Sequence, residues 1–598
     1  MSHSSTSLWR YMWTYRRGAS LGLATVGIYL TASLVNPIIL RHAIDALQQG
    51  RGARVFFTQL AIFLALALLS FGAAVIMRWK LLGLANRVEH DIRRDVFAHL
   101  TTLDAAFYQK ERTGDLMTKM TSDLGAVREM IGQGLLQGTR IAIGFPLAFS
   151  IMFAADMQLA LIVAALLPAV SIIFFFLIRL IRKYYDLSQE QFSEIANFAQ
   201  ETFAGIRTIK GFGIESRRRN QFTALNTEYI RRNMTLTRIE EPVWPLMMLL
   251  YWFGAVLLLW FAGRQIIAGT TTLGMYVQFQ QHLMFLQWPM LALGWTINIL
   301  QRGKTSWARI QTILQSQPRI HDAAEIRPTE HLRGDIEFSG VTLELEGRTI
   351  LDQIDLKIPA GQWIGITGPT GSGKTMLISL LVRLLDPTAG AVRIGGRDVR
   401  LISLAELRRH IGLAPQEPFL FSDTLANNLA FGLEPTRDPM TTYESKILRA
   451  AEIARLSDEV QQFPQRYRTL LGERGVTLSG GQRQRTAIGR ALARDPDLLI
   501  LDDVLSAVDT QTEARILEQL LPVLKGRTSL LISHRVSTLR HADRIVVLDH
   551  GRIVQDGSHE ELVAQPGYYQ NLDEIQRLEA RLEATHAPSE HGSDHGPS

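Results

Sequence analysis

The 598-residue sequence contains no cysteine, which removes disulfides, thiolate metal sites and thiol redox chemistry together. Charge of one sign is also scarce: 63 Lys and Arg stand against 57 Asp and Glu, for a net +6. The basic residues are interleaved with acids, so nothing in the chain calls for a nucleic acid or another polyanion. No small-residue cleavage site follows a short apolar core, so the N-terminus does not read as a cleaved signal. Residues Met1–Arg17 are polar and carry Trp9, Tyr11, Trp13 and Tyr15, the composition of an interfacial elbow helix. What the second half of the chain lacks, and the first half has in quantity, is long apolar runs. An overall hydrophobic content of 47% therefore averages over two different domains.

Six segments of the first half are long and apolar enough to cross a bilayer as helices. They lie near Ala19–Arg41, Phe57–Met77, Leu135–Ala155, Leu159–Ile181, Val243–Ile267 and Gly274–Leu300. An even number of crossings puts both termini on one side. The connections after the second and fourth spans are rich in Lys and Arg, including Lys80, Arg87, Arg93 and Arg94 in the one and Arg217, Arg218 and Arg219 in the other. Between the third and fourth spans there is little charge beyond Asp156. Basic connections mark the cytoplasmic side, so both termini and the second half are expected there. The basic connections run to about sixty residues each, too long for structureless loops in a compact fold, and read as helices extended beyond the membrane.

In the second half, Gly368-Pro369-Thr370-Gly371-Ser372-Gly373-Lys374-Thr375 is a complete Gly-x-x-x-x-Gly-Lys-Thr loop. The apolar run Gln362–Thr367 precedes it as a strand, and Met376–Leu381 follows as a helix. Loop amides and the positive helix end would cradle phosphates, Lys374 would reach β- and γ-oxygens, and the Thr375 hydroxyl would hold magnesium. The chain is expected to bind a nucleoside triphosphate with Mg2+.

Downstream come Leu478-Ser479-Gly480-Gly481-Gln482, the strand Leu498–Leu501 ending in Asp502, Ser506–Asp509, and Ser533-His534 after the strand Thr528–Ile532. With Pro415-Gln416-Glu417 upstream, this order closely resembles the ABC ATPase family. The resemblance covers roughly residues 10 to 575. It implies an all-α six-helix transmembrane domain of the type I/IV ABC exporter kind fused to an α/β P-loop NTPase domain. The expected division is an elbow helix at 1–18, the membrane domain at 19–315, the nucleotide-binding domain at 334–568, and a C-terminal helix with a disordered tail at 569–598.

By the same resemblance, Asp502 binds magnesium, Gln416 senses magnesium and the γ-phosphate, Asp509 belongs to the D-loop, and His534 bonds the γ-phosphate. Ser479, Gly480, Gly481 and Gln482 form the signature that closes on the ATP of a second subunit. Only one signature and one phosphate loop occur; Gly303-Lys304-Thr305 lacks the upstream glycine and the strand. The chain is thus expected to be a half-transporter that pairs with a second half. Arg112–Leu116 with Ser122-Asp123, and Glu201–Lys210, resemble the cytoplasmic segments of exporters that carry coupling helices. Glu473 resembles the segment that touches those helices. The missing cysteine also excludes the cysteine-peptidase domain fused to some bacteriocin exporters.

Two departures from the family pattern stand out. Asp503 occupies the position where the family usually has a glutamate that polarises the attacking water. Leu345 stands where an aromatic commonly stacks on adenine. Together with an intact signature, these resemble the degenerate subunit of heterodimeric bacterial multidrug exporters. A homodimeric exporter or lipid flippase, or a mainly regulatory ATP-binding subunit, stays open. The sixth span, with Gln278, Gln280, Gln281, His282, Gln287, Trp288 and Pro289, suits either a cavity for hydrophobic small molecules or lipids, or hydrogen bonding between helices. The C-terminal segment 569–584 has helical spacing and would pair with the partner's tail. Beyond it, 586–598 is poor in hydrophobic residues, and His586, His591 and His595 are candidate metal ligands only by composition.

Overall fold

Backbone amides inside a bilayer have no water to bond, so the apolar runs of the first half must satisfy them internally as helices. A computed structural model describes residues 7–323, 326, 332–472, 478–506 and 508–586. Glu473, His591 and His595, and the expected disordered tail beyond His586, lie outside them. The chain forms two compact units, each described on its own terms. One comprises the chain up to Thr102 with Arg112–Ser316; the other comprises Leu103–Glu111 and the chain from Gln317 onward.

The first unit is helical throughout. A short helix, Leu8–Thr14, leads into Arg16–Gln48 and Ala53–Leu100; a helical run Thr113–Ala155 follows, then Met157–Ala204, Ile206–Phe212, Glu215–Glu240, Val243–Ile267 and Leu273–Gln315. Among the described residues, five of these stretches are long and apolar enough to cross a membrane. The expected span Leu159–Ile181 lies inside the 48-residue helix Met157–Ala204, several of whose side chains fall outside the description. A 48-residue helix is about 72 Å long at its usual rise, more than twice a hydrocarbon core of about 30 Å. The long connections are therefore helix, as their length required. Pro37, Pro146 and Pro289 sit inside helices, where each removes one backbone hydrogen bond.

Several polar groups inside this bundle are hydrogen-bonded between helices. The Arg41 guanidinium donates to Gln278 Oε1 at 3.4 Å, the Gln280 amide donates to the Tyr251 hydroxyl at 3.0 Å, and the Gly274 amide donates to Asp45 Oδ1 at 3.2 Å. Two glutamines of the last span thus hydrogen-bond to neighbouring helices. The run Thr113–Ala155 is widened to π-helix at Lys119–Asp123 and Met130–Gly134. Asp123 accepts from the Ser306 hydroxyl at 2.8 Å, and Arg309 pairs with Asp115 at 2.7 Å. Gly303, of the stray Gly-Lys-Thr, is mid-helix, where a Cβ would lie 2.4 Å from Met130 Cβ. Its role is close packing of helices.

The second unit carries two sheets. The antiparallel one has the order β2-β1-β4-β5, from β1 (Ile336–Leu345), β2 (Arg348–Ile358), β4 (Ala389–Ile394) and β5 (Arg397–Asp398). The other has the order β10-β9-β3-β8-β7-β6, from β3 (Trp363–Thr367), β6 (Ile411–Ala414), β7 (Leu498–Asp502), β8 (Thr528–Ile532), β9 (Arg544–Asp549) and β10 (Arg552–Gly557). Its β9-β3-β8-β7-β6 portion is parallel. Every residue of β3 and β7 is buried, as parallel strands covered on both faces require. One core packs the helix Gly480–Ala493 and its neighbours around Trp363, Leu499 and Leu501, and the other fills the space between the two sheets around Phe338, Ile364 and Leu377.

Gly303→Ala is expected to lower the thermal midpoint of the purified protein, consistent with an overpacking cost of about 1–3 kcal/mol. Gly125→Ala, whose Cβ would meet nothing within 4 Å, should leave it unchanged or raise it.

Candidate functional site

In a parallel sheet, chemistry gathers at the carboxyl ends of the strands, where the loops cross over. Strand order here is β3-β8-β7-β6, and each of these four neighbours ends in one of the sequence motifs. The phosphate loop follows Thr367; Ser533 and His534 follow Ile532; Asp502 closes β7; Gln416 comes two residues after Ala414. The register aligns Asp502 with Ile532, and the Ser533 amide extends the ladder to Ile366 O at 3.2 Å. Residues more than a hundred positions apart are thereby brought to one edge.

The phosphate loop owes its shape to glycine at two points. Gly368 has φ +145°, and a Cβ there would sit 1.9 Å from Leu548 O; Gly373 has φ +101° and abuts Leu351 and Ile350. Lys374 opens the following helix, Lys374–Leu381, and its ammonium donates to Gly368 O at 2.9 Å, Pro369 O at 2.8 Å and Ser372 Oγ at 3.3 Å. Burial pulls its pKa down, against the pull of Asp503 and Asp502.

These loops enclose a cleft of about 230 Å³. Thr370, Gly371, Gly373, Lys374 and Thr375 line one wall, and Gln416, Asp502, Asp503 and His534 the other. Asp502 is only 4% exposed; burial raises its carboxyl pKa, the Thr375 hydroxyl bonds to it and lowers it, and the charge of Asp503 raises it further. Asp503 takes a left-handed φ of +47°, and its amide donates to Ile532 O at 3.0 Å. Gln416 Nε2 donates to Asp503 Oδ2 at 3.5 Å. Burial raises the Asp503 pKa, opposed by His534 and Lys374; burial and Lys374 lower that of His534.

Other expected residues are placed elsewhere. Ser479 caps the helix Gly480–Ala493 through a capping box: its hydroxyl accepts from the Gln482 amide at 3.2 Å, and Gln482 Oε1 accepts from the Ser479 amide at 2.8 Å. The first-turn amides of Gly480 and Gly481 have no helical acceptor, so they are left to bind an anion. This signature does not line the cleft of its own chain. Asp509 caps the helix Thr510–Lys525 by accepting from the Thr512 amide at 2.8 Å. Leu345 ends β1 at a hairpin corner, half-buried against the core between the sheets, and does not line the cleft either.

Residues 22–290 match the family described as "ABC transporter transmembrane region", and 351–506 the one described as "ABC transporter". "Multidrug resistance-like ATP-binding protein MdlA" of Escherichia coli (strain K12) is 32% identical over 576 residues, 96% of this chain and 97% of the relative. The chain belongs to the ABC transporter family. A further relative, the "ATP-dependent lipid A-core flippase" of Desulfotalea psychrophila (strain LSv54 / DSM 12343), is 32% identical across 87% of this chain and 91% of its own. A solved "bacterial Atm1-family ABC exporter with ATP bound" superposes with TM-score 0.75 at 26% identity, covering 94% of this chain and 99% of that one. This ABC transporter is a membrane protein whose ATP-binding half hydrolyses ATP coupled to transport.

Two residues that no motif announces hold the His534 loop of this ABC ATPase. Gln576, on the C-terminal helix Tyr568–His586, donates to His534 O at 2.7 Å and accepts from the Val536 amide at 2.8 Å. Buried Glu513 pairs with Arg535 and accepts from Thr538 at 2.6 Å, while Arg535 also donates to Val508 O in the D-loop at 3.3 Å. A glutamine in an amphipathic helix carries no sequence signal for this task. Ile350, Met376 and Ile532, which complete the cleft, are equally silent.

Gln576→Ala is expected to lower kcat for ATP several-fold with KM little changed, read by steady-state hydrolysis. Because burial raises the Asp503 carboxyl, a base needed in its ionised form should be lost as pH falls through a value above the ordinary aspartate pKa of about 3.9. The pH profile of single-turnover hydrolysis should show that acid limb, and Asp503→Asn should remove it from the residual rate.

Proposed function

We propose that this chain is one half of a heterodimeric exporter, and that it drives hydrophobic or amphipathic substrates out across the cytoplasmic membrane while its own ATP site turns over slowly. The observation that carries this is Asp503. The side chain ends one methylene short of glutamate, about 1.5 Å by standard bond lengths, and misplacement of about 1 Å at a reacting centre costs on the order of a hundredfold. Its amide is bonded to Ile532 O at 3.0 Å, which fixes the backbone from which the shorter side chain must reach.

In this reading Lys374 and the loop amides hold the β- and γ-phosphates, and His534 bonds the γ-phosphate. Asp503 orients the attacking water and takes its proton. Thr375, Asp502 and Gln416 fit magnesium, since a carboxylate 4% exposed beside a hydroxyl gains from a cation. When bound, that ion neutralises charge developing on the phosphates. Ser479, Gly480, Gly481 and Gln482 would complete the partner's site, and Leu345 would touch adenine through apolar contact alone.

The basic connections favour a cytoplasmic ATPase half and cytoplasmic termini. The coupling segments would be the short helices Ala105–Lys110 and Ile206–Phe212; the second exposes Ile206 and Phe212. Cargo class draws support from relatives whose names specify multidrug resistance and lipid A-core flipping. A homodimeric exporter is the second reading, favoured by Lys374, Gln416, Asp502 and His534 all meeting in one cleft.

Asp503→Glu is the test. In the native assembly it should raise ATP hydrolysis several-fold over a Lys374→Ala blank. An unchanged rate would contradict the claim that this carboxylate limits the site.

A further inference from the structure

At the entrance of the first unit, the elbow and the first two spans form a cleft of about 660 Å³, within the size range of small-ligand sites. Four cations converge on it: Arg16 and Arg17 from the start of the helix Arg16–Gln48, and Lys80 and Arg87 from the helix Ala53–Leu100. No carboxylate lines it. The nearby acids are engaged elsewhere, Asp91 accepting from the Tyr15 hydroxyl at 2.7 Å, and Asp95 from Tyr11 at 3.0 Å and Arg94 at 3.0 Å. Among the described residues none of the four cations makes an ion pair, whereas two of them rest on indoles: Arg16 lies 5.5 Å from the Trp13 ring centre and Lys80 5.5 Å from that of Trp79.

Basic side chains that merely obey the topology rule would be scattered around the helix ends. Here they face one concave site with a first helical turn free of acids, and its floor includes Gly18 and Gly83, where a Cβ would meet nothing within 4 Å. A second observation says what kind of anion belongs there. Running into the membrane-spanning part of the helix from Trp79, Val75, Phe71 and Leu68 follow at spacings of three and four residues, on one helix face. All four are exposed, Trp79 by 74% and Phe71 by 69%. A phosphate-sized charge at the cleft and an apolar track leading from it fit a single molecule.

We propose that this cleft binds an anionic glycerophospholipid, its phosphodiester and headgroup among Arg16, Arg17, Lys80 and Arg87, and its acyl chains along Trp79, Val75, Phe71 and Leu68. Basic pockets beside spanning helices are suited to such headgroups, and Trp belongs at the interface where the two parts meet. The lipid joins the elbow to the second span, so it ties the N-terminal segment to the bundle. The inference rests on the membrane-spanning reading of Arg16–Gln48 and Ala53–Leu100, and does not depend on which cargo is exported.

The test is native mass spectrometry of the full-length protein incubated with phosphatidylglycerol or phosphatidylcholine of identical chains. Phosphatidylglycerol should be retained at least tenfold better. The combined Arg16→Gln, Lys80→Gln, Arg87→Gln variant should lose that preference, whereas Arg217→Gln with Arg219→Gln, which removes charge from a helix outside the cleft, should keep it. Gly83→Leu fills the floor without touching charge, and should lower retention several-fold in a protein that stays monodisperse. Glycerol 3-phosphate in hundredfold excess should not displace the lipid. Equal retention of the two lipids, loss of preference in the Arg217 and Arg219 control, full retention by Gly83→Leu, or displacement by glycerol 3-phosphate would each overturn the proposal.

Discussion

The adjacency of four parallel strands is the constraint on which the ATP-binding half depends. With β3, β8, β7 and β6 side by side, the phosphate loop, His534, Asp502 with Asp503, and Gln416 stand in a row without any loop having to reach far. Glycines 368 and 373 then let the backbone turn inside that row where a Cβ would collide with Leu548 O or Leu351. The grouping of these residues in one cleft is thus a property of the sheet, and the loops supply only its final turns.

That arrangement concentrates charge in a partly desolvated cleft. Burial raises the carboxyl pKa of both Asp502 and Asp503, the charge of Asp503 raises that of Asp502 further, and burial pulls Lys374 down beside them. Such a site is electrostatically unfinished until a phosphate chain and its cation are added, which links nucleotide binding to order in the loops. Gln576 and Glu513 both hold the His534 loop, one from the C-terminal helix and the other from the helix capped by Asp509. The segment Ser506–Asp509 and the His534 loop are therefore connected within the chain through Arg535.

Much of this is legible in the sequence. The phosphate loop, Asp502, Gln416 and His534 were readable because each motif fixes residue types at set spacings, and the family places them at strand ends. Spans were readable from apolar length, and Gly303-Lys304-Thr305 could be set aside because no strand precedes it. What was not legible depended on long-range placement. Gln576 looks like any helix-surface glutamine, yet it meets His534 because the C-terminal helix docks through buried Tyr569. The capping box of Ser479 and Gln482 was hidden behind the better-known reading of the same residues. The four cations of the elbow cleft were legible only as a basic count, since Arg16 and Arg87 are seventy-one positions apart and only helix pairing brings them to one site.

The central claim is that a shortened carboxylate makes this chain a slow half that needs a different partner. The most direct measurement is the oligomeric state and magnesium-dependent ATPase of the chain expressed alone, against the same chain co-expressed with a half-transporter bearing glutamate at the equivalent of Asp503. The account predicts a protein that is unstable or nearly inactive alone and restored by the partner. A stable homodimer hydrolysing ATP at the rate of the mixed pair would contradict it.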